Sequence, residues 1–227
     1  MTTQAQPRWD VLLLLSLLLL ILLYPVLDHG DIRRIILGIV LFVPVILTTV
    51  RMSQVKAWVW PPVFLMCCSF GLAVAAVFFP HPALAGIKWG TLTLFFGFSV
   101  VGLFKYLRDS RSIRTPHLFT AASIYLLLGM QWFALYSAID VFLPGAFQHT
   151  LSAVTDHQPE LLYFSLVTLS TVGYGDIVPL HGEVRMLAAL EGITGVLYIA
   201  ITVALLVSSY KQNSGPSEVL EATNENR

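Results

Sequence analysis

The chain has 227 residues, of which 56% are hydrophobic and only 11% charged, and its formal net charge is +0. Soluble domains carry about 25% charged residues, so this composition, with a mean hydropathy of +0.77, excludes an ordinary soluble fold. The charge balance offers nothing to nucleic acid or to an anionic membrane surface. The apolar residues fall instead in blocks that approach or exceed the ~20 residues a bilayer-crossing helix needs. The expected class is therefore an all-α integral membrane protein embedded in lipid.

Six spanning segments are expected in chain order, at about 11–27, 34–50, 57–79, 83–104, 118–140 and 184–209. In the first, Arg8 precedes a leucine run as in a secretory signal. The chain continues Tyr24-Pro25-Val26-Leu27-Asp28 with no small-residue cleavage site, which argues for an uncleaved anchor. Cys67 and Cys68 are adjacent inside the third block; they suggest neither a disulfide framework nor a zinc site, and read as small buried hydrophobes. A seventh apolar stretch at about 160–171 is too short to span and fits a re-entrant segment enclosed by protein. The stretch 141–159 before it reads as a long outer turret, with Phe142, Leu143 and Phe147 resting on the membrane surface.

The boundaries follow. A four-helix bundle occupies 1–107, a basic linker 108–117, a pore-like unit 118–210 and a polar, disordered tail 211–227 containing Gly215-Pro216. Basic residues orient the spans. With the N-terminus cytoplasmic, Arg8, Arg51, Lys56, Lys105, Arg108, Arg111, Arg114 and Lys211 lie inside. Arg33, Arg34, Lys88 and Arg185 lie outside. Both termini are then cytoplasmic.

The informative chemistry lies in Glu160–Pro179, ELLYFSLVTLSTVGYGDIVP. At Thr168, Ser170, Thr171, Val172, Gly173, Tyr174, Gly175 and Asp176 this stretch resembles the pore signature of potassium channels. The resemblance extends over about 90 residues, from the fifth span through the sixth. A dehydrating cation needs its water oxygens replaced, and backbone carbonyls do this without burying full charge. Aiming successive carbonyls at one axis requires unusual dihedrals at alternate residues, which Gly173 and Gly175 supply without steric cost. The resemblance implies that the carbonyls of Thr171, Val172, Gly173 and Tyr174, with the Thr171 hydroxyl, bind K+, and that Gly175 completes the filter. One chain supplies one wall of such a tube, so a homotetramer is implied. The short helix before the filter presents its C-terminal dipole to the ion.

Several neighbours are expected to support the filter: Tyr163 and Phe164 at the aromatic positions behind it, Thr168 and Ser170, and Asp176. The Thr168 and Ser170 hydroxyls have the alternative of bonding only to their own helix backbone. Several potassium channels place a glutamate where Val167 stands here, paired with the aspartate after the filter. Asp176 lacks that partner and is expected either to bond to a nearby aromatic or to stay hydrated.

The run Leu190–Ala200 of the last span resembles the pore-lining helix of simple bacterial channels. Gly192 and Gly195 are candidate gating hinges, with close helix packing as the alternative. Glu191 is an acid within a membrane helix and so a functional candidate. It is expected to be a structural partner rather than a cavity ion site, and a neutral buried acid is a further option.

Voltage sensing needs about three to four gating charges per subunit, whereas the fourth segment carries only Lys88. The histidines read as ordinary loop residues. The resemblance thus points to a bacterial inner-membrane, six-span potassium channel subunit without strong voltage gating. It would be neither enzyme nor pump, and K+ would be its permeant ligand with no cofactor. The alternatives are a non-conducting sensor or regulatory subunit, a potassium transporter subunit, and a weakly selective cation channel.

Overall fold

The computed structural model describes residues 6–27, 60–79, 81–109, 115–149 and 158–214, together with Pro44 and Leu47, both helical. The rest of the expected second span, the cations Arg33, Arg34, Arg51, Lys56, Arg111 and Arg114, and the histidines His29 and His157 lie outside the described residues. The described elements are α1 (Gln6–Leu27), α2 (Trp60–Phe78), α3 (Pro82–Asp109), α4 (Thr115–Phe142), α5 (Gln158–Leu169) and α6 (Gly182–Ser214), with two short strands, β1 (Phe147–His149) and β2 (Ile177–Pro179). Helices α1, α3, α4 and α6 are long and apolar enough to cross a membrane, while the apolar part of α2, Trp60–Ala76, is shorter. The chain is a multi-pass, mostly helical membrane protein. The strands are an addition to the expected all-α class.

Helix starts follow local chemistry. Pro82 opens α3 with a preset φ and no amide to satisfy. His81 precedes it and caps it, its Nδ1 accepting from Ala83 N at 3.2 Å and its carbonyl from Leu84 N at 3.0 Å. Two ends run further than expected. Helix α3 continues past Phe104 through Lys105 and Arg108, which narrows the linker, and α6 continues past Tyr210 to Ser214. Cations suit a helix C-terminus, and nothing breaks α6 before Gly215-Pro216.

The centre of the bundle is α4, packed against α3, α1 and α5. Tyr106 of α3 stacks on His117 of α4, with ring centres 5.8 Å apart, and the Phe142 ring lies over Gly86. These two contacts at opposite ends make α3 and α4 antiparallel. Helix α1 runs parallel to α4. Near their starts the Thr120 hydroxyl donates to Asp10 Oδ1 at 3.0 Å, and further along Tyr24 meets Phe133 edge-on at 5.2 Å. Trp89 of α3 also meets Phe133 edge-on at 5.2 Å, so this ring joins three helices. Asp10 is fully buried, a polar tie of the kind that holds membrane helices together. Helices α1 and α3 therefore pack on the α4 of their own chain.

Among the described residues, helix α2 contacts α3 alone of the other helices to any extent, and the expectation for the cysteines is corrected by their exposure. Cys67 is exposed and Cys68 half-buried, both as free thiols. Neighbouring helical residues point about 100° apart, so the packing of one helix face against α3 does not cover both.

Candidate functional site

The site is built on α5, whose 12 residues enter between α4 and α6 and bury Leu161, Leu162, Phe164, Ser165 and Leu169. Phe164 turns to the outer helix, meeting Tyr136 at 5.2 Å and Phe147 at 5.5 Å. Phe147 is itself only 5% exposed, so it packs inward against Tyr136 and Phe164 instead of resting on the membrane. Phe142 and Leu143 do remain exposed.

A helix end leaves its last carbonyls without intrahelical partners, and here all four are bonded. Leu166 O accepts from Ser170 N at 3.1 Å, Thr168 O from Thr171 N at 2.9 Å, and Val167 O from both Val172 N at 2.9 Å and Gly173 N at 3.2 Å. Leu169 O accepts from Tyr125 Oη of α4 at 3.2 Å. The Ser170 hydroxyl donates to Leu166 O at 2.7 Å, so of its two expected roles it takes the backbone one. Thr168 is half-buried, and with Thr171, Gly173, Gly192 and Ile193 it lines an open, mostly apolar cleft of about 450 Å³ against α6.

The chain leaves α5 with an alternating backbone. Thr171 has φ +61°, Gly173 +51° and Gly175 +81°, while Val172 and Tyr174 between them do not have positive φ. The two glycines behave as expected. Thr171 does not: among the described residues it is the one non-glycine with positive φ. Left-handed backbone costs a side-chain-bearing residue roughly 1–2 kcal/mol, and strain of this kind persists only where the surroundings enforce it. Here the bonds of Thr171, Val172 and Gly173 back onto α5 do so, in the manner of a left-handed helix C-cap.

Residues 171–175 are all exposed in the single chain, with Val172 at 51% and Tyr174 at 72%. The chain by itself therefore does not enclose these two side chains. Tyr163 alone faces Tyr174, the rings near-parallel at 5° and 6.4 Å apart; Phe164 lies elsewhere.

Tyr163 also answers the question left by Val167. Its hydroxyl donates to Asp176 Oδ2 at 2.8 Å, while Asp176 Oδ1 accepts from Ile177 N at 3.1 Å. The bond to Asp176 pushes the Tyr163 phenol up to about 12. The phenol thus remains a donor through the neutral range and releases Asp176 only as pH rises through that value. Beyond Asp176, β2 pairs antiparallel with β1, His149 opposite Ile177 and Phe147 opposite Pro179. This ribbon ties the loop to the top of α4. It has no signal in the sequence beyond two three-residue runs.

Along α6 the candidates separate. A Cβ on Gly192 would stand 3.6 Å from Thr168 O, an ordinary contact, whereas one on Gly195 would overlap the Leu169 carbonyl. Gly195 thus permits a close approach of α6 to the end of α5. Glu191 is fully buried and bonded to Tyr136 of α4 at 2.7 Å and to Ser165 of α5 at 2.6 Å. Lys88 lies 4.1 Å over the neighbouring Trp89 ring on α3. Asp10, Tyr125, Tyr136 and Ser165 were not among the sequence candidates. Asp10, an acid heading a leucine run, is the one whose residue type alone gave a signal.

Residues 117–212 match a family model described as an ion channel, a class of protein that is not an enzyme. A Rhodopseudomonas palustris protein whose name assigns it provisionally to the potassium channels is 39% identical over 54 residues, 24% of this chain and 13% of that one. The human potassium voltage-gated channel subfamily A members 7 and 4 are each 31% identical over 86 residues, 37% of this chain and 19% and 13% of theirs. The chain thus matches less than a fifth of the length of these relatives. No solved structure matches it significantly.

Proposed function

From its membership of the potassium channel family over the matched stretch, we infer that this chain is a subunit of a homotetrameric, K+-selective channel conducting through Thr171–Gly175. The observation that carries this is the alternation of positive φ at residues 171, 173 and 175, directly after a short helix seated between two spans. Alternating handedness turns successive carbonyls to one side, which a K+ filter requires. Thr171, Val172, Gly173 and Tyr174 supply the oxygens; Tyr163 and Asp176 brace the outer end.

Four-fold assembly is supported by what one chain leaves uncovered. Irregular backbone at membrane depth is tolerated only when buried in protein or lining water, and residues 171–175 are exposed in the single subunit. The six-span topology draws support from helix direction. Helix α1 is parallel to α4, α3 antiparallel to it, and α2 joins α3 through a tight turn. Helices α1 and α2 then run the same way, which a span between them accounts for. From the excess of basic residues on one side we read both termini as cytoplasmic, and from the family resemblance a bacterial inner membrane. The helix corresponding to a voltage sensor has Lys88 as its lone cation before Lys105, too few for strong voltage gating.

The deciding measurement is cation flux into liposomes containing the purified protein, K+ against Na+, with and without Ba2+. Ba2+-blocked flux that strongly prefers K+ supports the reading; equal Na+ flux, or none of either, sinks it. The variant Tyr163→Phe keeps the ring stack and removes the bond to Asp176. We expect K+ currents recorded in planar bilayers to decay several-fold faster in this variant, and unchanged decay would deny Tyr163 the bracing role.

A further inference from the structure

Glu191 meets two helices at once, and the hydrogens around it can be counted. Tyr136 Oη of α4 lies 2.7 Å from Oε2. Ser165 Oγ of α5 lies 2.6 Å from Oε1 and 2.8 Å from the Gly129 carbonyl oxygen of α4. Three oxygen–oxygen contacts this short need three hydrogens. A hydroxyl carries one hydrogen and accepts through its lone pairs, so Tyr136 and Ser165 together supply two. Were Glu191 a carboxylate, one of the Ser165 contacts would set two lone-pair oxygens against each other with nothing between. The burial agrees with the count: Glu191 is 0% exposed, both hydrogen-bond partners are neutral hydroxyls, and an isolated buried carboxylate is prohibitively costly.

We propose that Glu191 carries the third hydrogen and donates it to Ser165 Oγ, making a neutral acid the positioning residue that fixes the pore-lining helix α6 to α4 and α5 behind the filter. Ser165 passes its own hydrogen to Gly129 O, and Tyr136 donates to the other carboxyl oxygen, so every donor has one acceptor. Tyr136 cannot turn away freely, being packed edge-on against Phe164 at 5.2 Å and Phe147 at 5.6 Å. One turn along α6, Gly195 lies against the Leu169 carbonyl. The acid and the glycine therefore hold α6 to α5 at two successive points, and the end of α5 sets where residue 171 begins. Charge at residue 191 then plays no part in attracting K+; its donor and acceptor pattern is what matters.

The consequence for flux rests on the conduction reading, whereas the proton itself does not, and the test separates them. Infrared difference spectra of the purified full-length protein at neutral pH, parent minus Glu191→Gln, should contain a protonated carboxylic-acid band that moves in Ser165→Ala. A carboxylate band in its place overturns the proposal. In liposomes, Glu191→Ala is expected to lose at least ~10-fold in K+ flux, the cost of stranding two buried hydroxyls. Glu191→Gln, whose amide presents one acceptor and one donor at the same two positions, is expected to restore most of that loss. A glutamine variant as impaired as the alanine variant overturns the proposal, even if the alanine variant fails to assemble. If the parent passes no K+, the conduction reading fails and the infrared band still decides the proton.

Discussion

Gly173→Ala is expected to remove the proposed K+ preference of flux while leaving the proposed tetramer assembled. Within the chain space is not the obstacle, because among the described residues no atom beyond residues 172–174 lies within 4 Å of where the new Cβ would stand. The obstacle is the backbone: φ at Gly173 is +51°, a region that costs other residues roughly 1–2 kcal/mol. In the proposed four-fold ring each subunit would carry the same strain, roughly 4–8 kcal/mol in all, set against about 1.4 kcal/mol for each tenfold in an equilibrium. The loop relieves this by rotating residue 173, and the row of carbonyls is broken there. Thr171 holds positive φ with a side chain because its amide is tied to Thr168 O at 2.9 Å. Gly173 also bonds back to α5, but at 3.2 Å to Val167 O, an acceptor it shares with Val172 N. Flux ratios in liposomes and light scattering of the purified protein check the two halves of this expectation. A variant that still prefers K+ would show that Thr171–Gly175 is not the filter.

What could be read from the sequence was local. Long apolar runs marked α1, α3, α4 and α6, the short run at 160–171 marked α5 as too brief to span, and two glycines at alternate positions marked the loop. The tie from Asp176 to a nearby aromatic was within reach as well, since only 13 positions separate Tyr163 from Asp176. Contacts between distant positions left no local trace. Glu191 could be suspected as an intramembrane acid, yet its partners stand 55 and 26 residues away, and Asp10 meets Thr120 across 110. Thr171 ran against propensity: β-branched residues avoid positive φ, so only the capping bonds at the end of α5 explain its conformation. The β1–β2 ribbon has three residues per strand and ends on a proline, too little for periodicity to register. Gly195 read equally well as hinge or as packing site, because both uses select the smallest residue.

Alanine at that position is expected to separate the two uses. A Cβ on Gly195 overlaps the Leu169 carbonyl, a backbone group held in place by Tyr125 Oη at 3.2 Å that cannot rotate aside as a side chain would. Helix α6 must then move off the end of α5, and overpacking of this kind typically costs about 1–3 kcal/mol in each chain. That displacement shifts the start of the proposed filter, so Gly195→Ala should lose at least ~10-fold in K+ flux and melt at lower temperature. Gly192→Ala meets only Thr168 O at 3.6 Å and removes a residue that weakens helices by up to about 1 kcal/mol. It should assemble at least as stably as the parent and conduct comparably. The reverse pattern, normal flux in Gly195→Ala and impaired opening in Gly192→Ala in single-channel recordings, would mean that bending at Gly192 opens the pore and that the contact at Gly195 is dispensable. With both variants impaired in opening but not in stability, flexibility of the whole 192–195 turn would be the requirement. The close approach of α6 to the Leu169 carbonyl favours the packing result, because a helix seated against a bonded carbonyl has no slack at that point in which to bend.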